Sequence, residues 1–380
     1  MQTSWGKCRL DYYLSLSIKA FLFFLPWQTV WIQREIFVDG IKWQQATLQF
    51  FLSEILLWIS IICFMLWYVK EMKKKKSDIS LAFSPDRFFV CSVFLFLIYS
   101  FISAFWAKDA DIAFQQSLHF LGAFLFFVAV FFSSFEIKSL LLSLMYGSVL
   151  PVLLGIAQFL FQSTWGSSVL GLTEHLAFEP GASVVSADFI GRWIRAYGSF
   201  SHPNIFGFYL LLSLIASTLL YVNSRKKFLA DSFLFSVICI QIMALFFTFS
   251  RSAWLAFVLW LCVLCSRRFF DLESTRIKVL CFSSLIFVFL LAYVNFPVLQ
   301  VRFGFKAFNE IQSVQDRLSD YEQAKMLFFQ HPLLGQGAGN YTQALYIWLG
   351  EISDFPIQAW RLQPAHNAFF LALVEYGLLG

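Results

Sequence analysis

The stretch R-A-Y-G-S-F-S-H-P-N, Arg195 to Asn204, places a guanidinium, an imidazole and a carboxamide side by side and runs straight into an apolar segment. Pro203 suits the first position of a helix, where its missing N–H costs nothing, and Ser201 is expected to cap that helix. The unpaired N–H groups and positive dipole end of such a helix point towards Arg195, His202 and Asn204. That combination favours an anion such as phosphate.

A second arginine, Arg251, lies in T-F-S-R-S-A-W-L at a tight connection between two apolar runs. A guanidinium cannot be neutralised and needs an anion, water or headgroups; a lone one at this depth is as readily a snorkelling interfacial residue. Paired with Arg195 it gains another reading, because planar forks on neighbouring helix mouths suit a diphosphate. Arg317, in S-V-Q-D-R-L-S-D-Y-E-Q-A-K, is a third anion contact or part of a solvated face. In Q-P-A-H-N-A-F-F, His366 stands at the mouth of a further apolar segment, where an imidazole can take a proton from an incoming hydroxyl or serve as a structural hydrogen-bonding group. Glu375 follows nine residues later, about 13 Å along a helix, and is read as neutral or paired.

Three other patterns carry less. Gly335, Gly337 and Gly339 lack the strand and the spacing of a nucleotide loop and are expected to make turns packed against a helix. Asp109 to Asp111, D-A-D, is expected to be solvated rather than metal-binding. Cys262 and Cys265 fall within an apolar run without partner ligands, so packing is the expectation there.

The elements that must position these groups follow from composition. Of 380 residues, 59% are hydrophobic and only 13% charged, with long apolar runs along the whole chain. A segment in lipid must satisfy its backbone internally, so each run is expected to be a helix. The fold class is therefore all-α, a polytopic transmembrane helical bundle. Ten spans are expected, at about 11–32, 46–69, 88–107, 117–135, 139–162, 203–222, 230–249, 252–266, 279–299 and 367 onward. Residues 1–299 would form the bundle, with an outward loop at 163–201; 300–366 a large outward loop; and 367–380 the start of the tenth span.

Within the large loop, Val314, Leu318, Tyr321 and Phe328 recur at helical spacing, Ser313 and Asp316 resemble a capping pair, and His331-Pro332 stops the run. An amphipathic helix over the outer face is expected.

Lysine and arginine set the orientation. Alternating the segments between the two sides assigns sixteen basic residues, among them Lys73 to Lys76, Arg225 to Lys227, Arg267 and Arg268, to one side and eleven to longer segments on the other. The amino terminus is then cytoplasmic, the basic runs are topology signals rather than nucleic-acid patches, and 163–201 and 300–366 face outward. The first span, preceded by Lys7 and Arg9, reads as a retained anchor without a cleavage site. All seven cysteines fall in spans or on the cytoplasmic side, so no disulfide is expected in the exported loops.

The series R-A-Y-G-S-F-S-H-P-N, S-R-S-A-W-L, D-R-L-S-D-Y-E-Q-A-K, H-P-L-L-G-Q-G-A-G-N-Y and A-H-N-A-F-F-L-A-L-V-E-Y-G-L-L-G resembles the O-antigen ligase superfamily over about residues 190–380. That superfamily includes O-antigen ligases, O-antigen and exopolysaccharide polymerases and some protein O-glycosyltransferases. The resemblance implies a GT-C-like membrane enzyme of the bacterial inner membrane that moves a glycan from a polyprenyl-diphosphate carrier such as undecaprenyl diphosphate to an acceptor hydroxyl. The acceptor would be lipid A core of lipopolysaccharide, a growing polysaccharide or a protein. Transfer would invert the anomeric centre at the periplasmic or outer face, without cofactor, metal or nucleic acid. By matching position, Arg195 and Arg251 would hold the diphosphate, His366 would be the base, and His202, Asn204 and Arg317 would support them. Members of the superfamily continue through about two more spans, so a full-length form would have about twelve. A transporter or flippase of lipid-linked saccharides is the rival reading, but it would show mid-membrane charges and repeated halves, and no internal repeat is evident.

Overall fold

The computed structural model describes all residues except 1–8, 75–86, 134, 179–181, 188, 225–227, 267–273, 304–307 and 353–355. The basic residues Lys7, Lys75, Lys76, Arg225 to Lys227, Arg267 and Arg268 lie outside the described residues, as do the side chains of Ser313, Val314, Asp316 and Arg317.

The apolar runs form helices, as their need for internal backbone pairing dictates. In chain order these are α1 (Arg9–Phe24), α2 (Leu52–Lys74), α3 (Arg87–Ile102), α4 (Ala110–Phe132), α5 (Ile137–Phe161), α6 (Pro203–Val222), α7 (Phe228–Phe247), α8 (Arg251–Cys265) and α9 (Ser274–Val294). Six of them, α2, α4, α5, α6, α7 and α9, contain segments long and apolar enough to cross a membrane. Mostly helical and built on such segments, the chain has the architecture of a polytopic membrane protein.

Two expected spans end differently. The run at 11–32 is helical only to Phe24, and Leu52, not residue 46, opens α2. Between them β1 (Val30–Arg34) pairs with β4 (Leu48–Phe51), and β2 (Phe37–Val38) pairs with β3 (Ile41–Lys42). The physical cause is local: Asp39 and Gly40 both take positive φ, 51° and 73°, the geometry of a tight two-residue hairpin turn that an Asp-Gly pair supplies. A further hairpin, β5 (Val184–Ala187) with β6 (Gly191–Ile194), lies in the 163–201 segment.

The helix α5 organises the bundle, packing against α1, α6 and α7. Its glycines make the close approaches: a Cβ on Gly147 would meet the Phe23 carbonyl oxygen at 2.5 Å, and one on Gly155 would meet the Phe206 ring at 2.6 Å. The main core joins α5, α6, α7, α8 and α9 through Phe159, Phe206, Leu214, Ile238, Leu264 and Leu280, all buried.

A second core belongs to the face where the long connections gather. There α11 (Phe308–Gln330), α12 (Tyr341–Ile352) and α13 (Ala368–Tyr376) follow one another, while α10 (Phe296–Phe303) before them buries Val298 and Val301 in the main core. Trp43, Ile112, Leu327, Tyr341, Leu345, Leu362 and Val374 form its centre. The helix α11 stands where an amphipathic helix is expected and ends before His331-Pro332 as the proline requires, but Leu318 of the expected apolar face is exposed and the helix buries Ala324 and Leu327 instead. The segment expected as a tenth span differs: α13 is 9 residues long and turns at Gly377, and its end is clasped by the chain after α11. Backbone N–H groups of Gln336 and Gly337 donate to Val374 and Glu375, and those of Leu378 and Leu379 donate to Pro332 and Leu333. This clasp is what the glycines permit, since a Cβ on Gly335 would come within 2.4 Å of the Glu375 carbonyl oxygen.

Candidate active site

Of the sequence-predicted groups, His202, Asn204, Arg251 and His366 lie at or next to the start of a helix, and Arg195 bonds to the first turn of α6. The segment leading into α6 is held first. Gln158, buried in α5, accepts the N–H groups of Tyr197 (3.1 Å) and Gly198 (2.8 Å) through its side-chain oxygen and donates to the Gly198 carbonyl at 2.9 Å. Gly198 has φ +61°, and the Phe206 ring stands where its Cβ would be. Ser199 donates to the Pro26 carbonyl at 2.5 Å, fastening the segment to the end of α1.

Arg195 is 5% exposed, and three of its donors point into protein. Its Nε donates to the Thr248 carbonyl at 2.6 Å, Nη1 to the Ser183 hydroxyl at 2.8 Å, and Nη2 to the Asn204 side-chain oxygen at 2.6 Å. The guanidinium thus ties the β5 hairpin, the first turn of α6 and the turn before α8 into one unit. Its positive charge is delivered to that junction rather than to the surface.

The expected cap Ser201 is replaced by His202. The Nδ1 of His202 accepts the N–H of Asn204 at 3.1 Å, so the imidazole itself closes the start of α6. An accepting Nδ1 carries no proton, and the surroundings agree: burial first, then the positive Arg195 and the nearby His366 and His175, push the His202 pKa down from 6.5 to about 4. His202 is therefore a neutral cap, not a second cation. The same interaction shows that His366 and His175 lie within electrostatic reach of it. His175 also stacks on Tyr197, ring centroids 4.5 Å apart.

Arg251 is exposed and is the first residue of α8. The connection before it is tight: Phe249 is fully buried with φ +47°, an uncommon conformation for a bulky residue, and Arg302 of α10 donates to its carbonyl at 3.0 Å. Next to this turn, Gly207 in α6 lets the helices touch, since its Cβ would meet Ala253 at 3.1 Å and Ser250 at 3.3 Å. The starts of α6 and α8 are therefore adjacent, and both positive dipole ends open on the same place.

His366 is exposed and immediately precedes Asn367, whose side-chain oxygen caps α13 by accepting from Phe369 and Phe370. Arg317 falls within α11, and its side chain lies outside the described residues.

Sequence reasoning missed Gln158, Asn340, Asn367 and Arg302, because a single amide or guanidinium in an apolar or loop context has no local signature of its partner. The expectation for D-A-D is corrected: Asp109 and Asp111 both pair with Arg34 of β1, and Asp109 also caps α4. Asn340 grips the Asp109 backbone on both sides, accepting its N–H at 2.7 Å and donating to its carbonyl at 3.1 Å. Two carboxylates at a helix start find a cation and the dipole, which favours the paired state over a solvated one.

Six segments long and apolar enough to cross a membrane define a polytopic helical membrane protein, with Arg195 bonded to the first turn of α6 and Arg251 opening α8. Residues 234–380 match the family model described as O-antigen ligase, the same superfamily that the motif series resembles. The match takes in Arg251, Arg317 and His366 and supports a ligase-like membrane glycosyltransferase in general; Arg195, His202 and Asn204 precede it. Comparison with curated proteins and with solved structures finds no match.

Proposed function

We propose that the protein transfers a glycan from a polyprenyl-diphosphate carrier to an acceptor hydroxyl at the outward face of the bacterial inner membrane. The observation that carries this reading is the junction of the α6 and α8 starts, with buried Arg195 beneath it, exposed Arg251 on it and His366 within electrostatic reach of its cap. An anionic leaving group is what such a junction stabilises.

In this reaction His366 takes the proton from the acceptor hydroxyl. The oxygen attacks the anomeric carbon from the face opposite the diphosphate, a new glycosidic bond forms, and the anomeric carbon–oxygen bond to phosphate breaks. The polyprenyl diphosphate leaves with the electron pair, its charge met by Arg251, the helix starts and the field of Arg195. The anomeric centre inverts. Arg317 is a supporting contact in this scheme, and Asn204 acts by orienting Arg195.

The test uses the full-length protein in nanodiscs with a polyprenyl-diphosphate glycan, candidate lipid, glycan and protein acceptors, and chelator. Transfer by wild type that disappears in His366→Ala supports the mechanism. Transfer that needs a divalent ion, or that is undiminished in the variant, removes it.

A further inference from the structure

Beside the His366 segment lies a cavity of about 230 Å³ that the mechanism above does not use. Its walls come from four distant parts of the chain: Gln45 and Thr47 from the first connection, Gln115 and Gln116 from α4, Tyr341 and Thr342 from α12, and Pro364 with Glu375 around α13. The side chains lining it are mainly neutral amides and hydroxyls. Thr47 is 6% exposed, Thr342 3% and Glu375 8%, so these polar groups are buried in the wall rather than scattered on a surface.

The chemistry of the lining selects the ligand. Burial pushes the Glu375 carboxyl up to about 7, against the N–H groups of Gly339 and Tyr341 that it accepts, so the group can accept a further hydrogen bond and, when protonated, donate one. The described lining residues include no lysine, arginine or histidine, so the cavity offers a diphosphate no cationic partner. Amides that both donate and accept, hydroxyls and one carboxyl group form the complement of a group rich in hydroxyls. Gln116, part-exposed at the cavity, has no hydrogen-bond partner among the described residues. The volume falls below the ~300–1,000 Å³ of drug-sized sites, which leaves room for one sugar ring rather than a chain.

The cavity is tied to the proposed base. Gln45 donates to Gln363 at 2.9 Å and accepts at its carbonyl from Gln343, so the wall is hydrogen-bonded to the chain that leads to His366. Pro364, two residues before His366, is itself part of the wall.

We infer that this cavity is a carbohydrate subsite that holds a single uncharged sugar residue by its hydroxyls, next to the segment that carries His366. Its ligand class rests on the glycan-transfer reading. The sugar belongs either to the acceptor or to the donor glycan, and the kinetics below separate the two.

The binding test is saturation-transfer NMR on the full-length protein in nanodiscs with methyl hexosides and methyl N-acetylhexosaminides as probes. Wild type and His366→Ala are expected to bind a probe, whereas Gln116→Trp, which fills the cavity, does not. Gln116→Ala, at a part-exposed position, is the second variant should the tryptophan prevent folding, and it weakens probe binding about tenfold, the effect of one or two lost hydrogen bonds. In the transfer assay a matching rise in KM for one substrate alone, with kcat retained, assigns the site to acceptor or donor. Probe binding that persists in His366→Ala while transfer is never detected leaves the sugar site standing and removes the transferase. Transfer with no probe binding, and with KM unchanged in both Gln116 variants, overturns the subsite.

Discussion

The Nη2 of Arg195 donates to the side-chain oxygen of Asn204 at 2.6 Å, joining the residue before the α6 mouth to the first turn of α6 itself. Through the same guanidinium the Thr248 carbonyl, ahead of α8, is held at 2.6 Å. Arg195 is thus a buried structural tie, and Arg251 is the arginine exposed at the start of α8.

This division of labour separates two variants. Arg195→Ala leaves the Thr248 carbonyl, the Ser183 hydroxyl and Asn204 without a charged donor, and a loss of about 2–4 kcal/mol of stability is expected. Arg195→Lys recovers little, since a point ammonium cannot span three acceptors. Thermal unfolding of the purified protein in detergent checks both.

For Arg251→Ala the opposite pattern is expected, because the residue is exposed at the start of a helix. Its unfolding temperature stays at the wild-type value while the transfer rate falls by about 10²–10³-fold, the size of effect seen when a donor to developing charge is removed. Loss of stability without loss of transfer would reverse the assignment.

The His202 cap makes the start of α6 sensitive to acid. Its pKa is about 4 when folded, against 6.5 ordinarily, so between these values the unfolded chain binds more protons and stability falls as pH drops. The contribution is whole above pH 6.5 and gone once the pH has passed below about 4. His202→Asn, which keeps an accepting cap without a titrating ring, is expected to flatten this part of the curve of unfolding temperature against pH.

Gly198→Ala tests the close approach that the R-A-Y-G-S-F segment needs. A methyl there meets the Phe206 ring at 2.6 Å, and Gly155 presses on the same ring from α5, so the ring has nowhere to retreat. With a positive φ in addition, a cost of about 2 kcal/mol or more is expected, read as a lowered unfolding temperature.

Arg302→Ala removes the donor to the Phe249 carbonyl and loosens the turn that presents Arg251. A fall in kcat of about tenfold is expected, with Arg302→Lys in between, as for a positioning group worth one charge-assisted hydrogen bond. Unchanged kinetics would confine Arg302 to packing.

How much of this was legible beforehand follows from the range over which each feature is decided. Apolar runs decide helices locally, because lipid offers the backbone no other partner, and so α4, α5, α6, α7, α8 and α9 stand close to where the sequence put them. Proline at a first turn fixed the start of α6 in the same way. The early hairpins were hidden because apolar strands and a short apolar helix share the same residues, and only the Asp39-Gly40 turn favours the former.

The site divides along the same line. Sequence by itself determined that Arg195, Arg251 and His366 stand at the mouths of apolar segments, since charge next to an apolar run has few places to go. Only the tertiary structure decided that Arg195 turns inward to the Thr248 carbonyl 53 residues away and that Asn340 grips Asp109 across 231 residues. It also decided that Gly207 lets two helix starts share one space. Such pairings are chosen by which surfaces pack, and no local pattern encodes the partner at the other end.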